Sequence, residues 1–280
     1  MQKIWVCGAR GQIGQAVNDV VDKLEFEMLD TDVDDLDVTD TDEVLRFGEM
    51  NRPDIIINCS GMTDISSCEE NPSQAFKVNA LGARNLAIVA AKMQAKMVQL
   101  STDDVFDGKS TEPYTEFDIT NPGTVYGKSK LAGENYVKEF TTKHFIVRST
   151  WVYGKGQNFI NGFLKKVDAG EQLSIASDQF GSPTSANELA RFLLHLVHTS
   201  EYGTYHATNK GVCSRYAFAQ EILKMTGKTA SMQPVPTVMS DFSKVRPAYA
   251  VLDNFIMSMV PIYDFPDWQD SLREYLEERG

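Results

Sequence analysis

An α/β fold, built on a doubly wound parallel sheet with a smaller α/β portion toward the C-terminus, is what this sequence predicts. Three observations carry the prediction. Short apolar runs alternate with stretches of helical periodicity through the first 150 residues. That is the pattern of strands buried on both faces and joined by crossover helices. The first run leads straight into a string of three glycines at residues 8–14. Beyond Trp151 the alternation loosens and turn-forming Pro183, Pro234, Pro236, Pro247 and Pro261 appear.

Each element follows in order. Residues 3–7 (KIWVC) form a buried strand, and 12–23 a helix. Residues 26–29 form a second strand that ends at Asp30 and runs into an acidic segment, 30–42. Residues 41–50 read as a helix broken by Arg52-Pro53, because the residue before proline is pushed out of helical geometry. Residues 54–58 (DIIIN) give a third strand. Residues 72–93 form one helix, with Pro72 placed near its first turn. Residues 97–100 (MVQL) and 145–148 (FIVR) are the fourth and fifth strands, with a helix over 126–139 between them. Right-handed crossovers make this a Rossmann-type sheet, which takes ligands at the carboxyl ends of its strands. Further helices are expected at 158–169, 186–199, 214–226 and 267–279.

Composition narrows the partners. Apolar residues make up 42% and charged residues 24%, as in ordinary globular chains. Acids outnumber bases 39 to 27, for a net charge of −12, which repels phosphate backbones and anionic membrane surfaces. Nucleic acid and membrane are therefore not expected as partners. Cys7, Cys59, Cys68 and Cys213 form no CxxC pair or Cys/His cluster, so no metal site is expected. With no signal-peptide pattern and no apolar run of membrane-spanning length, a reduced, cytoplasmic protein is expected.

Gly8-Ala9-Arg10-Gly11-Gln12-Ile13-Gly14 has GxxGxxG spacing between a strand and a helix. Glycine lets the backbone approach a ligand, and the helix start offers free amides and a positive dipole end to a pyrophosphate. Residues 1–150 thus read as an NAD(P)-binding Rossmann domain. Residues 151–280 read as mainly a substrate-binding portion, with some segments returning to the sheet. Asp30, at the end of the second strand, sits where an acid accepts from the adenosine ribose. An acid there repels a 2′-phosphate, whereas the Arg10 guanidinium would pair with it. NADH and NADPH both stay open.

Tyr126-Gly-Lys-Ser-Lys130 places a phenol and an ammonium four residues apart, on one helix face. A nearby ammonium favours phenolate, lowering a pKa otherwise near about 10, so Tyr126 can give a proton to an alkoxide forming on a carbonyl. Lys130 also suits the nicotinamide ribose. Ser101-Thr102-Asp103 follows the fourth strand directly. There a hydroxyl, Thr102 first and Ser101 second, can polarise a substrate oxygen.

Together these motifs resemble the extended short-chain dehydrogenase/reductase superfamily and, within it, the dTDP-4-dehydrorhamnose reductase family. The resemblance covers nearly the whole chain. It includes Gly11-Gln12-Ile13-Gly14, Arg52-Pro53-Asp54, Ser101-Thr102-Asp103 and Val105-Phe106-Asp107-Gly108. It continues through Tyr126 to Lys130 with Gly133-Glu134, then Trp151-Val152-Tyr153, Asn158-Phe159, Asp178-Gln179, Gly181, Pro183, Thr184 and Arg246-Pro247. It implies NAD(P)H-dependent reduction of the 4-keto group of a nucleotide-linked deoxysugar, giving dTDP-L-rhamnose; monomer and homodimer both stay open. It further implies that Gly11, Gln12 and Ile13 line the pyrophosphate, that Asp37 and Val38 flank the adenine, and that Gly61, Met62, Thr63 and Leu100 line the nicotinamide. Thr102, Asp103 and Trp151 would face the sugar nucleotide, and Arg246 would take its diphosphate. Epimerase or dehydratase chemistry, or a non-catalytic nucleotide-binding subunit, are the other readings of the same motifs. Three segments depart from the family: Asp104 stands where a tyrosine is usual, residues 60–66 read SGMTDIS, and Cys213-Ser214-Arg215-Tyr216 replaces a Cys-Ser-Trp-Tyr-like run.

Overall fold

The computed structural model describes residues 1–239 and 247–278. Six parallel strands form the central sheet: β1 (Gln2–Cys7), β2 (Phe26–Thr31), β3 (Ile55–Asn58), β4 (Lys96–Thr102), β5 (His144–Ser149) and, from far along the chain, Gly203–His206. The spatial order runs from Gly203–His206 through β5, β4, β3 and β1 to β2. Strand side chains alternate between faces with a period of two, and the two faces are buried by different helices. Ile4, Val6, Ile55, Ile57, Val98 and Val147 pack under α1 (Gln12–Val20) and the helix Ala186–His198. Trp5, Cys7, Ile56, Met97 and Ile146 pack under α2 (Thr41–Asn51), α5 (Ala83–Met93) and α6 (Val125–Phe140). Between α2 and α5 come two short helices, α3 (Ile65–Glu70) and α4 (Pro72–Phe76).

Local chemistry sets the boundaries. Asp40 caps α2 by accepting from the Glu43 amide at 2.9 Å, and Arg52, at φ 49°, ends it before Pro53. Thr124 caps α6 by accepting from the Gly127 amide at 2.9 Å. The single helix expected over 72–93 is instead α4, a π-helical turn at Lys77–Gly82, and α5. The reason is Asn79, buried in that turn. Its side chain bonds the Met62 backbone in both directions, at 2.8 and 2.9 Å, and donates to Ser129 Oγ at 2.8 Å. Such wide turns recur where a side chain must reach into a site.

The rest of the chain begins with β6 (Val152–Tyr153), α7 (Phe159–Asp168), β7 (Leu173–Ala176), β8 (Phe180–Gly181), β9 (Thr184–Ser185) and α8 (Ala186–His198), the last of them packed on the sheet. After the sheet strand β10 (Gly203–His206) come β11 (Cys213–Ser214), α9 (Arg215–Thr226), β12 (Met232–Val235), β13 (Tyr249–Ala250), α10 (Phe255–Met259) and α11 (Trp268–Glu277). Phe163, Ile175, Phe218, Ile222, Trp268 and Leu272 fill the interior of a separate, C-terminal apolar cluster. Among the described residues no helix is long and apolar enough to cross a membrane.

Candidate active site

A cavity of about 500 Å³ opens where β3, β4 and β5 end and the C-terminal cluster begins. Its floor is the glycine loop. Gly8 has φ +76°, and a Cβ there would lie 2.7 Å from the Ser60 amide nitrogen. A Cβ on Gly14 would lie 2.3 Å from the Gly8 carbonyl. The loop can therefore fold this tightly only with glycine. Helix α1 starts beside the cavity with Gly11 as its cap, no side-chain cap hydrogen bond and no acid in its first turn. Its first amides and positive dipole end are thus left for an anion. Buried Gln12 Oε1 has no partner among the described residues. This cradle fits a dinucleotide pyrophosphate.

One wall carries the phenol and the ammonium expected to act as acid–base groups. Tyr126 lies in the first turn of α6 and Lys130 one turn on, both buried and both lining the cavity. Gly127 permits this placement, since a Cβ there would meet the Asp104 carbonyl at 2.0 Å. Burial pulls the Lys130 ammonium down to about 8, while the charge of Glu134 pushes it back up. The Cys59 thiol is itself pushed up to about 12 by burial and stays neutral. Ser101 Oγ donates to Glu134 Oε1 at 2.6 Å, so that hydroxyl is engaged away from the cavity chemistry. Thr102 Oγ1 donates to Asp103 Oδ1 at 3.0 Å and accepts from the Asp104 amide at 3.2 Å, which holds its hydroxyl at the strand end. A second phenol lining the cavity, Tyr153, is driven far above the ordinary tyrosine range by burial, which makes it a weaker acid than a free phenol.

The opposite wall is aromatic and cationic. Trp151 follows β5 with φ 48°, a left-handed conformation that costs about 1–3 kcal/mol for such a residue. Its indole is pressed against Gly181, where a Cβ would approach Trp151 Cε2 to 2.6 Å. On it lies Arg215, whose guanidinium carbon is 3.4 Å from the indole centroid and 4.7 Å from the Phe159 ring. Arg215 is buried and lines the cavity. In sequence Arg215 is only a departure from the family, an arginine in place of tryptophan where a helix starts, and that replacement is the one signal of its place on the cavity.

The predicted site residues separate into groups. Gly11, Gln12, Ile13, Gly61, Thr63, Leu100, Thr102, Asp103, Tyr126, Lys130 and Trp151 line the cavity together. Gly8 and Gly14 shape the loop from behind, and Met62 packs beside Tyr126. Val38 is buried against Gly82 and Asp37 is exposed, both away from the cavity lining. Asp30 is exposed at the end of β2, and Arg10 is exposed and ion-paired to acids beyond that strand. Arg246 lies outside the described residues. Asp104 is buried but is not among the cavity-lining residues, so its carboxylate does not form the ligand wall.

Comparison with known proteins agrees on one family. The profile described as the RmlD substrate binding domain matches residues 1–280. The spore coat polysaccharide biosynthesis protein SpsK of Bacillus subtilis strain 168 is 35% identical over 281 residues, covering 100% of this chain and 99% of its own. A dTDP-4-dehydrorhamnose reductase structure from Clostridium acetobutylicum ATCC 824 is 40% identical, with a TM-score of 0.96 and 99% of each chain covered. That of Bacillus anthracis str. Ames, in complex with NADP, is 35% identical, with a TM-score of 0.96, covering 99% of this chain and 100% of its own.

Proposed function

The chain belongs to the RmlD substrate binding domain family, and from that premise we propose that it reduces dTDP-4-dehydro-L-rhamnose to dTDP-L-rhamnose with NADH or NADPH. The observation that carries this reading is the convergence of Thr102, Tyr126 and Lys130 on one cavity beside the glycine cradle. A reduced nicotinamide, when bound, supplies the hydride to the carbonyl carbon. Thr102 polarises the C4 oxygen when its hydroxyl proton turns from Asp103 Oδ1 to the substrate. Tyr126 donates its phenolic proton to that oxygen as charge develops. Lys130 stabilises the phenolate left behind and holds the nicotinamide ribose. Trp151, Tyr153 and Phe218 keep the wall apolar and exclude water from the proton transfer.

The test is purified protein with the keto-sugar nucleotide and a reduced dinucleotide. Stoichiometric oxidation of the cofactor is expected. Product without net oxidation would indicate an epimerase, and binding without turnover a regulatory subunit.

Two further outcomes follow from the site. The Lys130 ammonium is charged below its value of about 8 and neutral above it. Reduction is therefore expected to fall as pH rises through about 8, which a kcat/KM profile against pH would show; a flat profile past pH 9 would contradict it. Arg215 offers a desolvated cation to the diphosphate of the sugar nucleotide. Arg215→Ala removes a charge-assisted hydrogen bond of about 1.5–3 kcal/mol, so KM for the sugar nucleotide is expected to rise ~10- to 150-fold. The dinucleotide KM is expected to hold steady, and equal rises in both would refute that assignment.

A further inference from the structure

The choice between the two reduced dinucleotides is made where the second strand of such a sheet ends, beside the adenosine ribose. In this chain β2 ends at Thr31, whose carbonyl accepts from the Gly8 and Ala9 amides at 2.8 and 3.1 Å. The glycine loop is thereby fixed against the strand end. Asp32 comes next, and its Oδ2 accepts from the Arg10 amide at 2.8 Å. That bond ties the carboxylate to the glycine loop, at the strand end where sheets of this type hold the adenosine ribose.

Arg10 is the residue that could answer a 2′-phosphate, and its guanidinium is engaged. Nη2 lies 2.9 Å from Asp35 Oδ2, Nη1 lies 3.2 Å from Asp34 Oδ2, and Nε lies 3.9 Å from Asp32 Oδ2. Asp35 Oδ2 also accepts from the Asp32 amide at 3.0 Å, so the acids are ordered by the backbone as well as by Arg10. Three carboxylates around one guanidinium leave an excess of negative charge. Asp30 and Asp37, both exposed nearby in sequence, add to it, and no lysine or arginine occurs between Lys23 and Arg46.

We infer that Asp32, with Asp34 and Asp35 holding Arg10 as their counter-ion, makes this chain select NADH over NADPH. A ribose 2′-hydroxyl can donate to the Asp32 carboxylate. A 2′-phosphate, carrying about −1.5 to −2 charges, would have to enter beside three carboxylates and prise Arg10 from two of them. Like charges brought together at a binding surface are strongly disfavoured. The inference rests on the reading of the glycine loop as a dinucleotide cradle, and its test separates the two.

The experiment is a titration of the purified full-length chain with NADH and, separately, NADPH, without sugar nucleotide, followed by nicotinamide fluorescence. NADH is expected to bind at least about tenfold tighter, a difference of roughly 1.4 kcal/mol. In the double variant Asp34→Asn, Asp35→Asn, which alters exposed side chains, the NADPH-to-NADH affinity ratio is expected to rise at least about fivefold, because Arg10 is released toward the phosphate. Adding Arg10→Ala is expected to abolish that rise. Equal or tighter binding of NADPH by the native chain would overturn the inference, as would a ratio unmoved in the double variant. Failure of both dinucleotides to bind the folded native chain would overturn the cradle reading itself.

Discussion

Tyr126→Phe is expected to lower kcat by at least about a hundredfold, the scale of a lost general acid. The substitution removes one hydroxyl and little else. The ring sits in a small cluster with Ile65, Cys68 and Ala75 and is itself buried, and phenylalanine fills the same volume. The turn that positions it is held by the Thr124 cap and shaped by Gly127. Dinucleotide affinity and the melting temperature are therefore expected to stay near those of the native chain, while kcat and kcat/KM fall together. Steady-state kinetics beside a cofactor titration and a thermal melt would check all three. Native-level turnover would remove Tyr126 from the chemistry.

Glu134→Gln is expected to have the largest effect on stability. Glu134 is fully buried and accepts from Arg148 Nε at 2.9 Å and Nη2 at 2.7 Å, as well as from Ser101. Arg148 is buried as well, with Phe106 beside its guanidinium at 5.3 Å. Nearby His206 is held down to about 3, chiefly by burial and then by the Arg148 charge, so it stays neutral and adds no second cation. Removing the carboxylate strands a cation in the core, at a cost of about 3–5 kcal/mol. The melting temperature is expected to fall by roughly 6–20 °C. Glu134→Leu combined with Arg148→Met is expected to recover most of that loss, since an apolar pair can replace a buried ion pair. Activity is expected to stay low in the double variant, because the Lys130 ammonium loses the carboxylate that supports its charge. A single variant melting within about 2 °C of the native chain would contradict this account.

Much of this was legible in the residues alone, for identifiable reasons. Parallel strands buried on both faces leave uninterrupted apolar runs, so β1, β3, β4 and β5 stand out. Glycine spacing and the Tyr126–Lys130 interval are local patterns, and the cavity they line was readable to that extent. What escaped depends on contacts far apart in sequence. Strand β10 is four residues long and half-buried over its first two, too short to register a period. The π-helical turn exists because Asn79 reaches Met62 and Ser129, and no helix propensity announces that. Arg215 starts a helix in sequence, and only folding lays it on Trp151. At the adenosine end the sequence offered an arginine and several acids as opposing signals. Their pairing in space, with Asp32 rather than Asp30 bonded to the loop, could not be read from their order.

The path of the chain through its central sheet has a mechanical consequence. Strand β10 hydrogen-bonds along β5 from Gly203 to His206, and helix α8 roofs the face that carries Ile4, Val6 and Val147. Both elements come after β6, α7, β7, β8 and β9 in the chain. Cutting the polypeptide at residue 150 would strip the outermost rung and the covering helix, baring an open edge and a wide greasy slab. The first 150 residues are thus not a detachable module: their sheet is completed by residues 186–206, which lie far beyond that cut.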